Sequence, residues 1–244
     1  MKKSFAFPFA LLLLALGLPG CTSTRDFAAT GYRLPAAPAT LVVMRPDVEV
    51  GSLSLGGVET PNADWTKLAR TFLADAIVAR EAARGDKAVA LAEQQGEPAE
   101  TVADYEALHR AVALSIARYK YGEIALPTKK GRFDWTLGPG VARVGTLAGG
   151  GSHALFLYGR DFFATDSRKA MQVAGTLGCI IGICLIPTGG EHFAYASLVD
   201  LRTGDVVWFN ILQGSAGDIR TPEGARAMVE HLLATMPGRG EAAK

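Results

Sequence analysis

Four histidines, three cysteines and one serine set beside a histidine are the side chains of this 244-residue chain best suited to chemistry. Histidine exchanges protons near neutral pH, so the histidines come first. His153 and the pair Glu191-His192 each stand just before a predicted strand, and strand ends that meet would give two bases and a carboxylate, the least a hydrolytic site needs. His109 and His231 stand alone, and none of the four shows His-Glu-x-x-His or another metal-ligand spacing. Ser152 lies in Gly150-Gly151-Ser152-His153-Ala154, which lacks the last glycine of a nucleophile elbow and precedes a strand instead of following one. Gly138-Pro139-Gly140 with Gly145 is no dinucleotide fingerprint, and no Gly-Lys-Ser/Thr is present to cradle a phosphate. Asp161, Asp200, Asp205 and Asp218 fall at turns and strand ends, where aspartate satisfies backbone donors. Cys179 and Cys184, in Cys-Ile-Ile-Gly-Ile-Cys, suit no zinc pattern. On one helix an i,i+5 pair points about 140° apart and cannot bridge. A disulfide there therefore needs a loop or a broken helix, and free thiols are the alternative. No cofactor, metal or small-molecule ligand is implied.

The third cysteine has a different setting. Met1-Lys2-Lys3 precedes an apolar run from Phe5 to Leu18, a charged start and short apolar core that read as an exported leader, 1–20, too short to span a bilayer unaided. It ends on Leu18-Pro19-Gly20-Cys21, which resembles the lipobox of bacterial lipoproteins. That resemblance implies acylation of Cys21, cleavage ahead of it, and attachment to membrane lipid through several acyl chains, which together hold where one chain binds only marginally. In that family Thr22 after the cysteine, where inner-membrane members carry Asp, implies the outer membrane with the protein facing the periplasm. The bland alternative is an ordinary cleaved leader followed by a chance cysteine. Residues 21–39 are small, polar and interrupted by Pro35 and Pro38, and read as a lipidated cysteine with a flexible spacer.

Cleavage leaves 244 − 20 = 224 residues, enough for one domain with a real core. With 25 basic against 24 acidic side chains and no basic stripe, nucleic acid is a poor partner. The 49% hydrophobic fraction is inflated by the leader and by one later apolar run, so it does not signal a polytopic membrane protein.

The elements that would position these groups follow from periodicity. Thr40 to Arg45, closed by Pro46, is a β-branched run with the form of a buried strand, and Val48 to Leu55 is a candidate second strand. Thr60-Pro61 reads as a helix start, with Trp65, Leu68, Ala69, Phe72, Leu73, Ala76 and Ile77 on one face. Ala79 to Glu100 is rich in Ala, Glu and Arg, and Ala99 to Tyr119 carries a second apolar stripe. With 79–100 as helix extension and turn, the helix from Trp65 and the helix Ala99 to Tyr119 predict an exposed helical hairpin, with an excursion over about 79–121. A short helix from Pro139 to Leu147, a strand from His153 to Phe163, strands at 193–200 and 205–212 about the turn Leu201-Arg202-Thr203-Gly204, and a helix from Thr221-Pro222 complete the domain, 40–237. Residues 238–244 read as a disordered tail. The fold class expected is α/β (α+β), a mixed β-sheet packed by amphipathic helices with a helical hairpin insertion.

Val173 to Pro187 holds no charge. As a helix its fifteen residues reach roughly 22 Å, short of the roughly 30 Å apolar core of a bilayer. Three readings stay open: a helix buried all round, a segment touching membrane or partner through Val173, Leu177, Ile180, Ile181, Ile183, Leu185 and Ile186, or part of an oligomeric pore.

Leu41-Val42-Val43-Met44-Arg45-Pro46, Gly149 to Tyr158, and Leu198 to Trp208, taken in this order of elements, resemble the amino-terminal domain of TolB and the periplasmic domain of the curli secretion lipoprotein CsgG. The resemblance implies a sheet with helices packed on it, used for protein contacts and not for chemistry; fold alone does not supply function. CsgG-type proteins carry two alternating membrane hairpins where this chain has one apolar run. The reading drawn is a non-enzymatic, lipid-anchored outer-membrane lipoprotein, an accessory or scaffold in envelope assembly or secretion, with envelope proteins as partners and a homo-oligomer left open. The alternatives are a membrane-interacting or pore-forming oligomer and a periplasmic hydrolase using His153, His192 and Glu191.

Overall fold

A computed structural model describes residues 22–35, 40–122, 124–180, 187 and 189–242. The leader expected over 1–20, and Cys21, lie outside these residues. Eight strands form one mixed sheet: β1 (Ser23–Ala28), β2 (Thr40–Val43), β3 (Asp47–Leu53), β4 (Glu59–Pro61), β5 (Lys87–Ala90), β6 (His153–Ala164), β7 (Glu191–Asp200) and β8 (Val206–Gln213). The order is β1-β8-β7-β6-β2-β5, and where β2 stops, β3 takes its place beside β6 with β4 outside it. β2 runs parallel to β5 and β6, and β3 runs parallel to β6 but antiparallel to β4, whereas β6, β7, β8 and β1 are antiparallel in turn.

Successive side chains on a strand point to opposite faces, and here both faces are covered. Val43, Leu155, Ala196, Leu198 and Trp208 pack under α1 (Ala63–Ala83) and α5 (Pro222–Leu232). Their neighbours Val42, Phe156, Tyr195, Val199 and Phe209 pack under α2 (Glu97–Ile116) and α3 (Ala142–Leu147). Central strands buried on two sides lose the in–out alternation of hydrophobicity, which is why Val206 to Leu212 is buried at every residue. The expected mixed sheet with packed helices is therefore the fold.

Three expectations need correction. No exposed helical hairpin forms, because α1 and α2 lie on opposite faces of the sheet. Between them Lys87-Ala88-Val89-Ala90 pairs with β2 in parallel register, Leu41 opposite Ala88. An Ala-rich stretch favours helix locally, and the open edge of β2 overrides it. Residues 23–28 are no spacer either. Ser-Thr-Arg-Asp-Phe-Ala pairs along its whole length with β8, from Ser23 opposite Gln213 to Ala28 opposite Trp208. As an edge strand it needs no apolar face to be held. The tail is tied down as far as Ala242: Leu34 N–H donates to Glu241 O at 3.0 Å, Gly240 N–H donates to Leu34 O at 3.0 Å, and Arg33 bridges to Ala242.

Local signals set the remaining boundaries. Helix α1 starts not at Thr60 but behind Asn62, whose side chain accepts from Trp65 N–H at 3.0 Å, while Thr60 and Pro61 close β4. Thr221 caps α5 by accepting from Gly224 N–H at 3.1 Å, with Pro222 in the first turn as expected. In the β7–β8 turn, Gly204 has φ +82°, a conformation glycine adopts without cost.

Candidate functional site

β6 and β7 run antiparallel with His153 opposite Asp200 and Asp161 opposite His192. His153 and His192 therefore sit at opposite ends of the pair, eight residues and roughly 26 Å apart along the strands. The expected set of His153, His192 and Glu191 is not brought together.

Each histidine is instead occupied where it stands. The two ring nitrogens of His153 meet Tyr32 Oη and, at 2.8 Å, Ser152 Oγ. Burial lowers the His153 pKa, partly opposed by Asp200, and burial lifts the Tyr32 phenol to about 12. The cavity beside them has a volume of about 30 Å³. At the other end, His192 Nδ1 contacts Asp161, and Phe163 meets the imidazole edge-on at 5.3 Å. Arg220 covers Phe163 at 3.8 Å and Trp65 at 4.6 Å, and is held by Asp218 at 2.7 Å. Burial raises the Asp161 pKa against the pull of His192. The cavity lined by Asp161 and His192 measures about 10 Å³, room for a single water. Glu191 turns to Arg160, 3.8 Å away, a guanidinium that also holds Glu59 at 2.6 Å and Glu49 at 3.3 Å. The hydrogen bond from Arg160 holds the Glu59 carboxyl below the usual range, and burial pushes that of Glu191 up.

Where β2 gives way to β3, the chain turns through Met44-Arg45-Pro46 and leaves a notch between α1 and α2. It is about 1120 Å³ in volume. This is the crevice beyond the carboxyl ends of parallel strands β2 and β5, the usual place for binding in an open α/β sheet. Two ion pairs cross it: Arg110 grips Asp47 through two hydrogen bonds of 2.8 and 2.6 Å, and Arg45 meets Glu106 at 2.8 Å. Those hydrogen bonds raise the pKa of both arginines further. Glu106 Oε1 and Arg70 Nε, both lining the notch, have no hydrogen-bond partner among the described residues. Side chains of Arg45 and Arg110 are 56% and 46% exposed, so the notch is an open polar trough and not an enclosed reaction chamber.

The third feature is the end of the sheet from which the amino terminus leaves. Ser23, Gln213, Phe193, Arg160 and Glu49 form one row across β1, β8, β7, β6 and β3. Just beyond that row Thr22 Oγ donates to Ser215 O at 2.8 Å, and Cys21 is the residue before Thr22 in the chain. Beyond the same row lie the tip of the β3–β4 hairpin, 54–58, and helix α4 (Asp166–Ile180), which leaves the end of β6. The chain returns from α4 to begin β7 at Glu191. Of the contact residues expected from sequence, Val173 and Leu177 are 63% and 61% exposed, so burial all round is overturned for them. Ile181, Ile183, Leu185, Ile186 and the side chain of Ile180 lie outside the described residues. Cys179 is disulfide-bonded, which overturns a free thiol there; its partner lies outside the described residues. No described helix is long and apolar enough to cross a membrane. Sequence reasoning missed Leu55 and Val58, exposed at the hairpin tip; their signal was two large apolar residues flanking Gly56-Gly57.

No family model matches the chain, and no curated protein matches it. Among solved structures it is similar to a PelC dodecamer from Paraburkholderia phytofirmans, at 11% identity and TM-score 0.36 over 90% of this chain and 100% of that one. A point variant of that dodecamer matches at 12% identity and TM-score 0.35, covering 87% and 97% of the two chains. A DUF4136 family protein (BT2437) from Bacteroides thetaiotaomicron matches at 8% identity and TM-score 0.32, covering 87% and 95%. None of the three is a TolB or CsgG protein, and at such identities and scores they transfer no property to this chain.

Proposed function

We propose that this protein is a non-catalytic, lipid-anchored lipoprotein on the periplasmic face of the outer membrane, where it serves as a scaffold for envelope proteins in assembly or secretion. The observation that carries the reading is the position of β1. The sheet begins at Ser23, so only Thr22 separates the lipobox cysteine from a strand bonded along its length to β8. Two residues reach at most about 7 Å. Acyl chains on Cys21 would therefore hold this end of the sheet close to the lipid surface, as a scaffold requires, and not on a long leash that lets an enzyme roam.

The state of the histidines supports the non-catalytic half. Both His153 and His192 are engaged by neighbouring side chains, and the cavities beside them, about 30 and about 10 Å³, leave no room for a substrate. The notch between α1 and α2 is the surface best suited to a protein segment, because its paired arginines and carboxylates can exchange partners with charges of either sign.

The test is fractionation of cells carrying the wild type or Cys21→Ser, with crosslinkers placed at Lys67 and Glu93 on the rim of the notch. Outer-membrane wild type, release by Cys21→Ser and a defined crosslinked envelope protein are expected. Wild type that fractionates as a soluble protein, or rim positions that capture nothing in live cells, would refute the reading.

A further inference from the structure

Helix α4 is built inside out. An ordinary surface helix turns its apolar stripe to the core and its polar face to water. In α4 the inward positions are Arg168, Gln172, Gly175 and Cys179, spaced at i, i+4, i+7 and i+11. Arg168 is 6% exposed and donates to Ser54 O at 2.8 Å, and Gln172 donates to Pro187 O at 3.2 Å. The outward arc carries Val173 and Leu177, at 63 and 61% exposure, beyond the exposed first-turn pair Asp166–Lys169, and Met171, 41% exposed, flanks the inward face. None of the described side chains of α4 belongs to either hydrophobic core. Its polar anchors bind backbone carbonyls while its large apolar side chains face out, which suits a helix whose outer surroundings are apolar.

The β3–β4 hairpin tip repeats the pattern. Ser54-Leu55-Gly56-Gly57-Val58 closes on itself, with Val58 N–H donating to Ser54 Oγ at 3.0 Å and Ser54 N–H donating to Val58 O at 2.9 Å. That leaves Leu55 and Val58 exposed at 42 and 63%. The tip and α4 are one unit, because the Arg168 hydrogen bond joins them. Nine large hydrophobic side chains are exposed among the described residues, and five of them stand on these two elements, so the exposure is concentrated and not scattered.

We infer that α4 and the β3–β4 tip form a lipid-docking face, with Leu55, Val58, Met171, Val173 and Leu177 entering the headgroup and acyl boundary of the leaflet that holds Cys21. The occupant is lipid because of where the undescribed chain begins. Cys21 leaves the domain at this same end of the sheet, one residue past Thr22. From β1 across β8, β7, β6 and β3 to β4 is five strand spacings, roughly 24 Å. Acyl chains at one edge and the hairpin tip at the other, with α4 as a further contact, fix the tilt of the domain, which the acyl chains alone would not. The choice of lipid as occupant, and of the leaflet, rests on the lipid-anchored reading above; the exposure of the apolar face does not.

The experiment uses the full chain, purified from membranes and reconstituted into phosphatidylethanolamine–phosphatidylglycerol vesicles with and without dibrominated phosphatidylcholine. Val58→Trp and Leu177→Trp are read one at a time as differences from wild type, with Leu114→Trp on α2, an exposed position of the covered sheet face, as reference. Interfacial helices seat their apolar side within reach of acyl bromines, so about threefold more quenching is expected at Val58→Trp and Leu177→Trp than at Leu114→Trp. Vesicle-bound protein in which all three quench alike overturns the docking face and leaves the anchor standing. Blue-shifted emission without bromine quenching means that a second copy covers the patch, and also overturns it. Quenching that persists in Cys21→Ser supports the face without help from the anchor. Failure of the wild type to float with vesicles overturns both.

Discussion

Lowering the pH from about 7.5 to about 5 should cost this protein about 2 kcal/mol of stability through His109 alone. The imidazole is 2% exposed, hydrogen-bonds Ser197 Oγ at 2.8 Å and stacks on Phe156 at 4.7 Å. Burial, helped by the charge of Arg110, lowers its pKa from 6.5 to about 3. Between those values the unfolded chain binds a proton that the folded chain refuses. Stability therefore falls as pH falls below 6.5 and stops falling near 3. At about pH 5 the gap spans roughly 1.5 units, at about 1.4 kcal/mol each. The assay is urea unfolding at the two pH values for wild type and His109→Gln, which keeps a polar group facing Ser197. Asp161 and Glu81, whose carboxyls burial pushes up, shift stability the opposite way on acidification, but they are common to both chains and cancel in the comparison. His109→Gln should lose about 2 kcal/mol less than wild type on acidification, whatever its stability at neutral pH. Equal losses in the two chains would refute the reasoning.

Three other outcomes are expected. Thr221→Ala removes the acceptor for Gly224 N–H and should destabilise by about 1 kcal/mol, read from the urea midpoint at unchanged slope. Gly204→Ala should cost more, about 2 kcal/mol, since φ is +82° there and an added Cβ would overlap the Gly138 carbonyl; a loss no larger than that of Thr221→Ala would refute this account of the turn. Cys179 should resist a maleimide in the folded protein until a reductant is added, with labelling followed by intact mass; labelling before reduction would show the disulfide to be absent.

Several elements were legible because one local signal outweighed every tertiary one. Val42 and Val43, the run from Ala154 to Tyr158, and Val206 to Leu212 are dense in β-branched and aromatic residues that favour strands. The Thr221-Pro222 start of α5 needs only its own side chain and a fixed φ. The leader expected over 1–20 and the lipobox-like run ending at Cys21 are a linear pattern that no folding alters, so what is said of 1–21 comes from sequence alone. The apolar run from Val173 was equally plain, but its periodicity did not tell which side faces the protein.

Other features belong to the tertiary structure because they depend on which edges and ends meet. Lys87 to Ala90 becomes a strand only because β2 offers an unpaired parallel edge, and Ser23 to Ala28 only because β8 does. Neither carries an apolar period to announce itself. His153 and His192 both precede strands in sequence, but the antiparallel pairing of β6 with β7 sends two strand starts to opposite ends of the sheet. The inversion of α4 is set by Ser54 O and Pro187 O, carbonyls distant in sequence that claim its polar residues and leave its apolar ones outside. Sequence by itself determined the elements with strong local preferences. The register of the sheet decided which ends those elements share, because a hydrogen-bonded ladder aligns residues that no local signal relates.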